Sequence, residues 1–546
     1  MTITRRELMR RASALGIVGL ATPTLVNCGK DDGEGTDSGT TGDASESEST
    51  TSGEDDGLPK YEFDGEPGPE NLFSHGVASG DPLADSVILW TRVSPAGDDP
   101  IEVFYEVALD PEFAERVAAG YVMTDGARDF TVKLDTEAMM SSTSYYYRFK
   151  ALGRSSPIGR TRTAAAGPWA RLRFAVCSCS NYAYGYFTAY GGVAGRADLD
   201  AVLHLGDYIY EYGDGQYGSF RELDPPYEIL TLEDYRRRYA HYRGDPHLQE
   251  AHRQHPFINV WDDHESANDA YNGGAENHDA DEGPWPDRLA AAEQAYNEWL
   301  PTREGAPGII YRTMRFGDLL DLIMLDTRII GRDKQSPLPM EQNDPERTLL
   351  GPVQEAWLEE QLVSSTAKWR LIGQQVMMAP YRGPAGILNA DQWDGYSAAR
   401  DRFLEVIESN GIGNTVVLTG DIHSSWACDI PRDPMSYDAE SGAGSVIVEF
   451  VTPSITSPGP GEDIAELVFA YNPHIRWGEG AKHGYLLLDV DEQRILGEWY
   501  HYASITIDGE IPGEFVRGFA LEDGARHLVE VQSPSAPIAE APPLAP

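Results

Sequence analysis

Between residues 170 and 490 one pattern recurs: a short apolar run, then a stretch with room for a helix, then another run. The runs are Arg171–Cys177, Ala201–Gly206, Pro256–Trp261, Leu319–Leu325, Arg370–Val376, Thr415–Thr419, Val446–Val451 and Tyr485–Val490. They lack the apolar/polar alternation of a half-exposed strand. Near-continuous apolar strands belong to a sheet covered on both faces, and intervening helices supply the cover. Leu289 to Leu300 has helical periodicity with Ala and Glu as good helix formers. The pattern predicts an α/β sandwich over residues 170–525, and no internal repeat suggests a solenoid or propeller.

Five runs end on polar, reactive or glycine-containing motifs: Cys177-Ser178-Cys179, Gly206-Asp207-Tyr208-Ile209-Tyr210, Trp261-Asp262-Asp263-His264-Glu265, Gly373-Gln374-Gln375 and Gly420-Asp421-Ile422-His423. Neighbouring strand ends converge in space, so Cys179 and His423, some 240 positions apart, can share one site. Asp207 follows a glycine that permits a sharp turn, and its carboxylate can bridge two cations. The Tyr210 phenolate is a hard anionic donor suited to Fe(III), although a buried core tyrosine is the bland alternative. Asp263 is a candidate ligand. His264 is a candidate proton donor to a leaving oxygen, with Glu265 or Asp262 orienting it. The alternative, a helix N-terminus decorated with acids, leaves the histidine unexplained. Asp421 and His423 stand two apart, so in extended chain both face one way and chelate one site. A Cys179 thiolate beside a cation is a strong ligand.

The chain carries 43 basic and 88 acidic residues, a net charge of -45. That charge repels phosphate backbones and argues against sequence-independent nucleic-acid binding. Residues 1–28 read as an export signal: Thr4-Arg5-Arg6-Glu7-Leu8-Met9-Arg10 resembles a twin-arginine motif, and the apolar stretch Ala12 to Val26 is too short to span a membrane. Leu25-Val26-Asn27-Cys28 resembles a lipobox, with Asn27 in place of the expected small residue, so lipid attachment through Cys28 and ordinary cleavage both stay open. Export to the periplasm or cell envelope and a monomeric state are expected. Residues 29–60, rich in Gly, Asp, Glu, Ser and Thr, read as a disordered tether. Residues 61–165 hold short β-type runs, among them Ser86–Trp90, Glu102–Val107 and Tyr145–Phe149, and predict a small fibronectin-III-like β-sandwich. The Pro/Ala-rich tail 533–546 reads as extended or disordered. Four cysteines are too few for a disulfide scaffold. Cys177 and Cys428 are either a pair or two small buried hydrophobes.

As a set and in this order, the motifs resemble those of the calcineurin-like metallophosphoesterases, and within them the PhoD-like alkaline phosphatase branch. The carrying segments are Phe73–Pro82, Cys179, Gly185–Tyr190, His204–Glu211, Trp261–Glu265 and Gly420–His423. The chain departs from the wider superfamily in having Cys179 in place of the first Asp-x-His motif and Asp263 where Asn is usual; both departures fit the branch. The resemblance implies one Fe³⁺ and two Ca²⁺. Cys179 and Tyr210 would hold iron, Asp207 would bridge, and Asp263, Asp421 and His423 would complete the cluster. It further implies a hydrolase of phosphate monoesters or diesters; the expected chemistry is attack by a metal-activated hydroxide, with Asp207 and, from its strand-end motif, His264 as the catalytic groups. The alternatives are an enzyme specialised for lipid or nucleotide diesters and a non-catalytic Ca²⁺-binding surface lipoprotein. Arg288, Arg382 and Lys482 are open candidates for binding substrate phosphate.

Overall fold

The computed structural model describes residues 56–509 and 511–546. The signal-like segment 1–28 and residues 29–55 of the acidic stretch lie outside it. Each of the eight expected apolar runs contains a strand. Arg171–Cys177 and Thr415–Thr419 keep their expected bounds, and the others move by one to three residues at an end.

Two sheets face each other. The first, of ten strands, runs Val529–Val531, Glu514–Glu522, Arg494–Tyr502, His483–Asp491, Arg171–Cys177, Ala201–His204, Pro256–Asn259, Val77–Gly80, Ile88–Arg92, Thr131–Asp135. The second, of seven, runs Arg312–Phe316, Leu320–Met324, Trp369–Gly373, Thr415–Thr419, Ser445–Val451, Ser425–Pro431, Ile475–Glu479. Their centres are parallel (Leu203 opposite Val176, Ile372 opposite Val417), so the motif-bearing ends emerge together. His483–Asp491 lies antiparallel to Arg171–Cys177, with Leu486 opposite Val176. Phe174 meets Phe316 edge-on at 5.2 Å between the sheets. Helices Pro246–Gln254 and Trp285–Trp299 pack beside the first sheet, and Gly351–Ser364 and Ser397–Ser409 beside the second.

The small sandwich exists, but it is not separate. Its outer sheet is Arg116–Thr124, Ile101–Ala108, Ser144–Ala151 and Arg154–Ser155, with Gly159–Arg162 paired to Ser144–Ala151. Its other sheet is the end of the large one: Val77–Gly80 pairs in parallel with Pro256–Asn259, Ser79 opposite Pro256. A boundary near residue 165 therefore does not divide the sheet. The junction accounts for the Phe73–Pro82 segment. A Cβ on Gly80 would lie 2.2 Å from the Pro301 carbonyl oxygen and 2.5 Å from that of Phe257. The buried Asp81 that follows accepts from Arg312 Nη2 at 2.6 Å and from the Arg303 amide at 2.8 Å.

Three further expectations meet the structure as follows. The tail is extended but docked: Tyr146 donates to the Pro543 carbonyl (2.8 Å), Arg171 to that of Ala536 (2.6 Å) and Arg253 to that of Pro546 (2.7 Å). The end of the expected tether is also held, with Asp56 gripped by Arg116 at 2.8 Å and the Lys60 carbonyl by Tyr121 at 2.8 Å. Cys177 and Cys428 are unbridged and fully buried, one in each sheet, so they pack as small hydrophobes. Among the described residues no helix is long and apolar enough to cross a membrane.

Candidate metal centre

The turns that carry the motifs leave their strands through left-handed backbone. Cys179 (φ 60°), Gly206 (101°), Asp207 (55°), Asp421 (61°) and His423 (55°) all lie there. For a non-glycine residue this costs on the order of 1 kcal/mol or more and persists only where surrounding contacts hold it. Here the turns brace one another. The Cys179 amide donates to the Gly206 carbonyl at 3.1 Å and the Ser180 amide to that of Asp207 at 2.8 Å. The Glu265 carboxylate accepts the amides of Asp207 (3.0 Å), Tyr208 (2.6 Å) and Asp262 (2.8 Å), tying the second motif to the third. At Gly206 a Cβ would lie 2.3 Å from that of Asp262, so only glycine lets the two turns touch.

The carboxylate, thiol and imidazole groups meet in three buried sets: Cys179, Asp207 and His423; Asp207, Asp263 and His264; Asp262, Asp263 and Asp421. Within each set the ligand atoms lie within 4.8 Å of one another. Asp207 belongs to the first two sets and Asp263 to the last two, so the sets form a continuous row. Tyr210 adjoins the row, donating to Asp207 Oδ2 at 2.9 Å and lying 3.3 Å from His423 Nε2. The Pro458 carbonyl, 2.9 Å from His423 Nδ1, sets that ring's orientation and leaves Nε2 toward the row.

All seven expected site residues therefore converge, with two corrections. Asp421 and His423 are not on one face of extended chain. The left-handed turn sends His423 into the first set and Asp421 into the third. Nor does Glu265 or Asp262 orient His264: Glu211 does, its Oε2 2.7 Å from His264 Nδ1. Glu211 is itself fixed by the Asn268 amide (2.9 Å) and Asn277 Nδ2 (2.8 Å). Burial alone would lower the His264 pKa, but the charges of Glu211, Asp207 and Asp263 outweigh it and push it up to about 10.

Arg328, which the motif reading overlooks, is fully buried beside the third set. It donates to Asp391 (2.6 Å), Asp421 (2.6 Å) and Asp262. Its signal was present, because Leu319–Leu325 also ends on charged residues, Asp326-Thr327-Arg328. Arg288 instead pairs with Glu228 and Glu282, Arg382 bonds to Asn472 through its backbone, and Lys482 lies 3.8 Å from Glu462.

Even with Arg328 present the row holds more buried acid than base. Burial lifts Asp262 well above the carboxylate range despite Arg328, and burial with the Asp207 charge pushes Glu265 up to about 8. Asp262 Oδ2 is buried and makes no hydrogen bond. Bound cations would remove both penalties. The donors also fit: thiol, phenol, imidazole and carboxylate suit a transition ion in the first set, and carboxylates alone suit a hard divalent ion in the third.

Fold and site together define an α/β-sandwich protein that gathers a buried cluster of candidate metal ligands at the ends of parallel strands. Residues 174–499 match the family model for PhoD-like phosphatase, and residues 61–165 match that for its N-terminal domain. The chain belongs to the PhoD-like phosphatase family. It is 40% identical over 436 residues to alkaline phosphatase D of Bacillus subtilis (strain 168), covering 74% of this chain and 73% of that one. The solved structure of PhoD superposes with a TM-score of 0.79 at 36% identity, covering 87% of this chain and 94% of that chain.

Proposed function

We propose that this phosphoesterase works with one Fe³⁺ and two Ca²⁺ in the row of three sets. Cys179, Tyr210 and His423 would hold iron, Asp207 would serve both kinds of ion, and Asp263 and Asp421 would serve calcium. Bound cations supply Lewis acidity toward phosphate oxygens and lower the pKa of a water. The braced turns hold Asp207, Asp263 and Asp421 at fixed places, so the site needs little rearrangement when charge develops on phosphorus. His264, held at Nδ1 by Glu211, keeps a proton for the leaving oxygen. Tyr210, Tyr212 and Tyr217 pack about its ring at centroid distances of 4.2, 5.5 and 6.1 Å and shield that proton from bulk water. The observation that carries this reading is the meeting of Cys179, Asp207 and His423 within 4.8 Å, beside the Tyr210 hydroxyl. Monoesters and diesters are both substrates of such a centre in principle. Export, and attachment through Cys28, rest on residues 1–28 of the sequence.

The test is to purify the mature chain without chelator, measure its metals and visible spectrum, and assay 4-nitrophenyl phosphate and bis(4-nitrophenyl) phosphate. The expected protein is coloured, contains iron and calcium, and loses its visible band in Tyr210→Phe. The ratio of the two turnover rates assigns monoester or diester preference. A colourless protein, inactive after reconstitution with iron and calcium, would overturn the reading.

A further inference from the structure

The strand-end motif Gly373-Gln374-Gln375 contributes nothing to the three sets, yet both glutamines are fully buried. Their hydrogen bonds lead to two loops. Gln375 Oε1 accepts from the Thr327 amide (2.9 Å) and hydroxyl (2.6 Å), and its Nε2 donates to the Leu325 carbonyl (2.9 Å). Gln374 Oε1 accepts from Trp393 Nε1 (2.8 Å), while its Nε2 donates to Thr419 Oγ1 (3.0 Å). The first loop delivers Arg328 and the second delivers Asp391. Asp326 tightens the first loop by accepting the amides of Arg328 (2.8 Å) and Ile329 (2.9 Å). Arg332 and Gln335 Nε2 (2.6 Å) hold Asp391 from behind.

The result is a guanidinium whose position is set from both sides. Nη1 donates to Asp391, which leaves Nε for Asp262 Oδ1 and Nη2 for Asp421 Oδ1. Asp262 and Asp421 are each gripped through Oδ1, and Asp391 through Oδ2. Asp262 Oδ2 makes no hydrogen bond, and the Oδ2 of Asp421 has a long contact of 3.4 Å with Gln392 Nε2. A short charge-assisted bond to one oxygen restricts the carboxylate's rotation and biases the direction of its second oxygen.

We propose that Arg328 is a positioning residue. Carried by the Gln374–Gln375 pair, it turns the outer oxygens of Asp262 and Asp421 toward a hard divalent cation in the set Asp262, Asp263 and Asp421. The proposal rests on the cation reading of the centre. A lysine cannot replace Arg328, because a single ammonium lacks the rigid fork that spans three carboxylates. Loss of an outer partner of this kind typically weakens metal binding by about 10–100-fold.

The experiment is Ca²⁺ binding by calorimetry on chelator-treated mature protein, for the wild type, Arg328→Lys and Gln375→Leu, alongside the Ca²⁺ concentration that half-saturates turnover. Arg328→Lys is expected to weaken Ca²⁺ binding about 10–100-fold and raise the half-saturating concentration in step, with most of kcat returning at high Ca²⁺. Gln375→Leu, which changes no charge and lies outside the cluster, is expected to move both readouts in the same direction by a smaller factor. It carries the test if Arg328→Lys does not fold. Unchanged or tighter Ca²⁺ binding in the folded variants would overturn the proposal, the tighter result meaning that Arg328 competes with the ion. A wild-type protein that binds no Ca²⁺ would instead overturn the cation reading on which it rests.

Discussion

In its proposed role as proton donor His264 depends on Glu211 to hold its ring, and leaving groups differ in how much they need such a donor. Aryl oxides depart without much protonation and alkoxides do not. His264→Ala is therefore expected to slow an alkyl phosphate ester by about 10²–10⁴-fold. Glu211→Gln is expected to follow it part of the way, and both variants should spare the 4-nitrophenyl ester by comparison. Steady-state rates over a series of leaving groups check this; equal losses across the series would remove His264 from the role of proton donor. The same pair marks how far single residues were legible. His264 stands out because nothing in packing calls for Asp-Asp-His-Glu after an apolar strand. Its partner Glu211 sits 53 positions earlier and is brought near by the fold. Arg328 was legible by the same rule, standing just past an apolar run at Asp326-Thr327-Arg328, whereas Asp391 lies on a loop with no such run before it, and the split of Asp421 from His423 depends on a backbone angle that residue identity does not report.

Strands were the most legible elements, since a sheet covered on both faces leaves unbroken apolar runs. Pairing was less so: nothing in Val77–Gly80 announces that it adds to the edge of Pro256–Asn259. That seam can be tested through its glycine. Gly80→Ala would press a methyl group onto two backbone carbonyls that cannot move aside, and a loss of about 1–3 kcal/mol or more is expected. Gly97→Ala, where nothing lies within 4 Å, is the matched control and is expected to stay close to wild type. Denaturant melts of the two variants decide. If they shift equally, the close contact at the seam is not what constrains residue 80.

On the scale of the whole molecule, acid stability is expected to depend in part on buried histidines outside the centre. His255 is fully buried, its Nε2 3.1 Å from the Val193 carbonyl. Burial, helped by the charge of Arg160, lowers its pKa to about 3. The unfolded chain protonates first as pH falls, near 6.5. The contribution is thus intact above about pH 6.5 and is lost progressively toward pH 3, amounting to about 2 kcal/mol at pH 5. His255→Gln keeps a donor for Val193 and removes the titration. The gap in unfolding free energy between pH 8 and pH 5 is expected to shrink by about 2 kcal/mol. Melts at the two pH values measure it, and an unchanged gap would show that His255 does not govern this limb.

The unbroken sheet also bears on how the protein can be cut. Two domains joined by a linker can be expressed apart, but here the strand Pro256–Asn259 depends on Val77–Gly80 to cover one side. A fragment starting at residue 170 would carry that buried strand as a bare rim of unpaired amides and carbonyls. Such a rim invites other chains to add to it. A catalytic half made alone should therefore collect as aggregates, and supplying residues 61–165 in trans, as a separately expressed partner, should restore its solubility.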